Sequence, residues 1–149
     1  MTGKKIKEGQ ALLQQVMEEY IAFNKYLGLK VESFDAHAPK LRFDMRPELV
    51  GNPSRQILHG GVISATLDVA GGFAIMLSIA GESPVTPTSF PNMGTIDLRV
   101  DYLRPGRGKH FIATARIVRK GSRIAVVHME LHNDEGELIA TGGAAYVIG

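Results

Sequence analysis

Leu58-His59-Gly60-Gly61-Val62-Ile63-Ser64-Ala65-Thr66-Leu67-Asp68-Val69-Ala70-Gly71-Gly72-Phe73-Ala74-Ile75-Met76-Leu77-Ser78-Ile79-Ala80 is the stretch around which the rest of the chain must be arranged. Its apolar part approaches the length of a membrane span. Asp68 stands near its centre, however, and Gly71 and Gly72 interrupt it, so a buried helix over residues 59–80 is the better reading. Burying an unpaired carboxylate is costly; such a group is hydrogen-bonded, protonated or functional. Taken alone, Asp68 reads either as a structural aspartate bonded to a neighbouring loop or as a reactive group.

The faces of the helix bear on that choice. Steps of three and four from Asp68 reach Gly61, Ser64, Ala65, Gly71 and Gly72, a stripe of small residues. Ile63, Thr66, Leu67, Val69, Phe73, Met76 and Leu77 carry the bulk that fills a sheet. A mid-helix glycine costs about 1 kcal/mol relative to alanine, so the stripe implies close approach by another helix or a ligand. At the start, His59-Gly60-Gly61 puts two residues without side chains where backbone N–H groups have no intrahelical acceptor. With the helix dipole, those donors suit a carbonyl that gains negative charge under attack. His59 itself reads equally as a cap or as a ring satisfied in the core.

Distance then adds a constraint. Eight residues of unbroken helix separate Gly60 from Asp68 by about 12 Å along the axis. A carbonyl held at Gly60 and attacked through Asp68 needs both within a few ångströms of one carbon. Two helices packed antiparallel along their small stripes meet that need, with Asp68 of one subunit opposite Gly60 of the other. A two-fold dimer with composite sites is expected.

Outward from this helix, Leu13, Val16, Met17, Tyr20, Ile21 and Leu27 mark an amphipathic N-terminal helix within residues 1–28, closed by Gly28. Leu29 to Asp35 and Lys40 to Met45 read as short strands, and Pro47 to Gln56 as a loop. Gly81 to Pro91 is a second loop, with Pro84, Pro87 and Pro91. Thr95 to Leu103 alternates with period two; Phe111–Val118, Arg123–Leu131 and Leu138–Val147 follow. Arg104-Pro105-Gly106, Lys120-Gly121-Ser122 and Asn133-Asp134-Glu135-Gly136 read as hairpin turns. The pattern is α+β: a curved antiparallel sheet wrapped around one central helix, with an extra helix at the N-terminus, in one domain over 1–149.

Bulk properties narrow the function. The chain has no cysteine, which excludes a disulfide scaffold, a thiolate metal site and a catalytic thiol. The first residues show no apolar signal core, so a cytoplasmic location is expected. Formal net charge is only +2, yet Arg99, Arg104, Arg107, Lys109, Arg116, Arg119, Lys120 and Arg123 crowd the region after residue 98. With 7% aromatic residues, no tryptophan and no recognition-helix pattern, a phosphate-bearing small molecule fits that cluster at least as well as nucleic acid, and solvated strand faces account for many of the charges.

Together these residues resemble the PaaI-type branch of the hot-dog-fold thioesterases. In that family a Leu-His-Gly-Gly turn opens the central helix and an aspartate follows nine residues after the histidine, the spacing of His59 and Asp68. Met93 to Gly108 and Glu130-Leu131-His132-Asn133 look closest to the YigI-like bacterial acyl-CoA thioesterases. The resemblance implies an acyl-CoA substrate, medium or long in its acyl chain, with no metal, no cofactor and no nucleic-acid or membrane partner. It implies a homodimer or a dimer of dimers. It gives Gly60 the amide that polarises the thioester carbonyl, with His59 and Gly61 in the same turn, and Asp68 the role of general base or nucleophile. Thr95 matches a serine that helps hold the attacking water. An asparagine six residues ahead of the histidine is matched by Asn52, one place earlier, through a one-residue loop insertion. Arg104, Arg107, Lys109 and Arg123 would face the phosphates of coenzyme A. Two other readings stay open on the same fold: a non-catalytic acyl-CoA sensor, and a hydratase. Hydratases pair an aspartate with a histidine five residues on, where this chain has Phe73.

Overall fold

A computed structural model describes residues 3–149. Met1 and Thr2, included in the expected N-terminal helix, lie outside the described residues. The elements in chain order are helices α1 (Gly3–Gln15) and α2 (Ala22–Leu27), strands β1 (Lys30–Ser33), β2 (Lys40–Asp44), β3 (Val50–Asn52) and β4 (Ile57–Leu58), the central helix α3 (Gly60–Ala80), and strands β5 (Gly94–Tyr102), β6 (His110–Lys120), β7 (Ile124–Asn133) and β8 (Leu138–Val147). Six strands form one antiparallel sheet in the order β1-β2-β6-β7-β8-β5, while β3 and β4 pair separately.

The sheet can wrap a helix because its central strands turn small residues inward. Ala113 and Ala115 on β6, Ala125 on β7, and Ala140, Gly142 and Ala144 on β8 are all buried. At Gly142 a Cβ would lie 3.3 Å from Leu67 and 3.0 Å from the Arg99 carbonyl, so a side chain there would crowd both the helix and β5. Bulk comes from the helix instead, through Ile63, Leu67, Phe73 and Met76. Phe111 stacks on Phe43 at 5.2 Å, and Phe34 meets Phe73 edge-on at 6.0 Å. The helix is apolar and long enough to cross a membrane, and here it is the core helix that the sheet covers.

Three expectations change. The N-terminal helix is not continuous: α1 passes into a single π-helical turn at Val16–Tyr20, and Ile21 is extended before α2 begins. Asn24 and Glu18 explain the break, since Asn24 Nδ2 bonds the Met17 carbonyl and Glu18 accepts the Val31 N–H, drawing the segment onto the core and β1. Second, the loop 47–56 holds a short 3₁₀ turn (Pro47–Leu49) and most of the β3–β4 hairpin.

Third, Arg104-Pro105-Gly106 is not a hairpin turn. β5 pairs with β8, not with β6. The connection must cross β8 and β7, about 15 Å at ordinary strand spacing, and its seven residues reach that far. It is pinned on the way: Leu103 and Arg104 donate to the Ile139 carbonyl, Leu58 donates to the Gly106 carbonyl, and Met45 donates to the Lys109 carbonyl. Asn133 anchors it, donating to the Arg107 carbonyl while its Oδ1 accepts the N–H groups of Glu135 and Glu137. A Pro-Gly turn signal marks where a strand stops; it does not say which strand pairs next.

Candidate active site

His59 is the N-cap of α3. Its Nδ1 accepts the Gly61 N–H at 2.8 Å, so the ring's proton resides on Nε2. The ring folds back over Gly61, where a Cβ would sit 2.9 Å from Nδ1. This decides between the two glycine amides. The Gly61 N–H is committed to the cap, which removes Gly61 from the donors expected to meet substrate. Gly60, at the first helical position, keeps an N–H with no intrahelical acceptor. Tyr102 at the end of β5 holds the turn by donating its hydroxyl to the Gly60 carbonyl at 2.9 Å.

Asp68 lies two turns along α3, half-buried. Thr95 Oγ1 donates to its Oδ1 at 2.8 Å, which sets the hydroxyl beside the carboxylate. A second donor was not foreseen from sequence. The hydroxyl of Tyr146, on β8, lies 3.0 Å from Asp68 Oδ1 and 2.7 Å from the Asp68 carbonyl oxygen. Burial pushes the Tyr146 phenol far above its usual range, and the charge of Asp68 raises it further. The phenol therefore stays protonated and can only donate to the carboxylate. Thr95 and Tyr146 occupy paired positions on β5 and β8, so the sheet register brings both hydroxyls to one carboxylate oxygen. Oδ2 takes neither of these bonds.

The small stripe of α3 divides. Gly61, Ser64, Ala65 and Asp68 keep some exposure, whereas Gly71 and Gly72 are buried within the chain. A Cβ at Gly71 would stand 2.4 Å from the Tyr146 hydroxyl. The closeness that Gly71 permits thus serves Tyr146 and not a second helix. Gly71→Ala is expected to displace Tyr146 and destabilise the protein by about 1–3 kcal/mol, as overpacking does. Adding Tyr146→Phe, which deletes the hydroxyl, should recover part of that loss. Urea unfolding of the two single variants and the double variant checks this; strict additivity would refute the contact.

A cavity of about 180 Å³ adjoins the carboxylate, lined by Met17, Ile21 and Asn24 from the N-terminal segment, Val69, Gly72 and Met76 from α3, Phe90 and Met93 from the following loop, and Thr95 and Tyr146. Apart from Asn24 and the site residues themselves the wall is apolar, and its three methionines are adaptable packing groups.

Other expected site residues are placed differently. Asn52 is tied into the β3–β4 turn: its Oδ1 accepts the Ser54 hydroxyl at 2.8 Å and the Arg55 N–H at 3.2 Å. These bonds make it a turn former within the chain. Arg104, Arg107 and Lys109 lie on the crossover beside the start of α3, where Arg104 donates to the Leu138 carbonyl. Arg123 is at the other end of the sheet, next to the start of β7, where its carbonyl accepts the Ile148 N–H. Within one chain the four cations do not form a single cluster. Nearby, Asp134 accepts the Lys109 N–H at 2.8 Å, a bond that lowers its pKa. Among the described residues no group of histidines and carboxylates has the arrangement of a metal site.

A medium/long-chain acyl-CoA thioesterase, YigI of Escherichia coli, is 41% identical over 143 residues, covering 93% of this chain and 92% of the relative. The crystal structure of a Shewanella oneidensis protein related to the thioesterase superfamily superposes with a TM-score of 0.86 at 36% identity, covering all of both chains. The Escherichia coli PaaI protein from the phenylacetic acid degradation operon shares the fold, with a TM-score of 0.76 at 20% identity over 100% of this chain and 96% of that one. The thioesterase superfamily itself matches residues 55–140, from the hairpin before the glycine turn to the start of β8. The chain therefore belongs to the thioesterase superfamily, and its sheet wrapped on one central helix is that superfamily's hot-dog fold.

Proposed function

We propose that this protein hydrolyses medium- or long-chain acyl-CoA to the free acid and coenzyme A at a site shared by two subunits. The observation that carries the reading is the Asp68 carboxylate, oriented by Thr95 and Tyr146 through one oxygen, with the other oxygen available beside an apolar cavity. In the simplest course Asp68 takes a proton from water as the water oxygen bonds to the thioester carbon. The carbonyl oxygen gains charge against the Gly60 N–H; the carbon–sulfur bond then breaks, and the thiolate leaves and is protonated. Asp68 as a nucleophile, through an anhydride that water opens, uses the same groups. The reaction asks for no metal or cofactor.

Two subunits are needed because α3 is unbroken from Gly60 to Ala80, which keeps Gly60 and Asp68 about 12 Å apart along the axis. Two features support antiparallel pairing. Gly61, Ser64, Ala65 and Asp68 remain accessible on one helix face. β5 is an edge strand with an unpaired row of backbone groups, and Ile96 and Tyr102 on it are more than half exposed, at 56% and 54%. Arg104, Arg107 and Lys109, on the crossover beside the start of α3, would then face the phosphates of coenzyme A.

The test is thiol release from a panel of straight-chain acyl-CoAs. Turnover that rises from short to medium and long chains is expected. Saturable binding of those thioesters without thiol release would reject hydrolysis in favour of a sensor.

A further inference from the structure

The apolar space beside Asp68 is short. At Gly72, one turn along α3 from Asp68, an added Cβ would lie 3.7 Å from Met93 Cε and 4.0 Å from Met76 Cε. All three residues line the cavity next to the carboxylate, so two thioether ends close it at Gly72. Four residues of helix span about 6 Å, and an extended acyl chain advances about 1.25 Å per carbon, which leaves room for about five carbons. Medium and long chains need more. The seam where α1 packs on α3 opens again further on. Met76 and Ala80 continue the ridge of Asp68 and Gly72 in steps of four, and Leu13 and Gly9 continue from Met17 in the same steps. Another cavity, of about 370 Å³, is walled there by Gly9, Leu12, Ala80 and Pro84. Its charged members, Lys5, Glu8 and Glu82, are exposed, so their stems border the space while their heads reach solvent. A Cβ on Gly9 would meet nothing within 4 Å, so α1 stands off its neighbours at that point. Ala80 lies three turns of helix beyond Asp68, about 18 Å or about 14 carbons. Between the two cavities stand Leu13 and Met76, 0% and 4% exposed.

We propose that Met76 is a specificity-determining residue that sets how long an acyl chain the site accepts. Its thioether end closes the pocket beyond a short chain; a longer chain displaces it and runs on along the α1–α3 seam toward Gly9 and Ala80. This rests on the acyl-CoA reading above and names what selects the chain within it. Met93 meets the same point from the loop before β5, whereas Met76 stands on the ridge that joins the two cavities. An unbranched thioether with three rotatable bonds swings aside more readily than a branched side chain such as Leu13. Each methylene that passes the gate exchanges water for apolar wall, so the gain grows with chain length.

The experiment measures kcat/KM for thiol release from hexanoyl-, decanoyl- and hexadecanoyl-CoA in the wild-type protein, Met76→Ala and Gly9→Leu. Hexanoyl stops near the gate, decanoyl passes it, and hexadecanoyl reaches Gly9. Met76→Ala should raise the decanoyl-to-hexanoyl and hexadecanoyl-to-hexanoyl ratios by about 10-fold, the scale on which hydrophobic pockets resolve chain length. Gly9→Leu, which fills the far cavity, should lower the hexadecanoyl-to-decanoyl ratio by about 10-fold and leave the decanoyl-to-hexanoyl ratio near its wild-type value. Leucine favours a helix over glycine and has space at this position, so that variant should fold even if Met76→Ala does not. A merely structural role for either residue moves all three substrates together. Unchanged ratios in either variant overturn the proposal, because the chain then takes another path. Thiol release from none of the three substrates would instead reject the acyl-CoA reading, and this inference with it.

Discussion

Asp68→Asn is expected to lower kcat/KM on acyl-CoA by about 10²–10⁴-fold, the range lost when a positioned general base is removed. The substitution keeps the shape of the side chain and an oxygen that can accept from Thr95 and Tyr146, so the two hydroxyl bonds at 2.8 and 3.0 Å need not be lost. What disappears is the ability to take a proton or to attack carbon. Folding should be little affected, because the group is half-buried and its partners are neutral. Thiol-release kinetics beside a thermal melt separate the two effects. A folded variant that retains most of the wild-type rate would remove Asp68 from the chemistry.

Gly60→Pro tests the other half of the site. Proline is well tolerated at the first helical position, where the missing N–H has no intrahelical acceptor. His59 already has φ −62° and ψ 134°, the extended conformation that a residue before proline prefers. Space at Gly60 is adequate, since the nearest atom to an added Cβ is Tyr102 Cε1 at 3.4 Å. The substitution therefore deletes one amide hydrogen and little else. A loss of about 10²–10³-fold in kcat is expected, as for removal of a single oxyanion donor. KM should change far less than kcat, because the bond strengthens as charge develops on the carbonyl oxygen. Near-normal turnover by a folded Gly60→Pro would place the oxyanion elsewhere.

Much of this was legible in the sequence, for identifiable reasons. The central helix announces itself by length and composition, and the later strands by period-two alternation, as in Ala125, Val127, Met129 and Leu131 facing in and His128, Glu130 and His132 facing out. Asp68 stands out because a carboxylate in an apolar run needs a reason. Strand order was not legible: alternation marks β5 as a strand but carries no record of its neighbour, and the connection at 103–109 is long enough either to turn back or to cross. Tyr146 was missed because its hydroxyl acts across 78 residues, and only the Gly71 opposite it gives a hint, once the strand's register is known. Arg123 was grouped with Arg104, Arg107 and Lys109 by resemblance and local charge, whereas the length of β7 carries it to the opposite end of the sheet. Asn24 lay hidden in an amphipathic helix whose break at Val16–Ile21 no periodicity marks.

The central claim is that each site takes Asp68 from one subunit and Gly60 from the other. It is tested most directly by mixing two inactive proteins. Asp68→Asn and Gly60→Pro, each tagged differently, are co-expressed and the mixed dimer is isolated through both tags. In that dimer one site combines Asp68 with an intact Gly60 across the interface, and the other combines the two lesions. The isolated mixed dimer should recover about half of the wild-type kcat per dimer, and an unfractionated random mixture about a quarter. A mixed dimer as inactive as its parents, or a fully active monomer of the wild-type chain, would contradict the shared site.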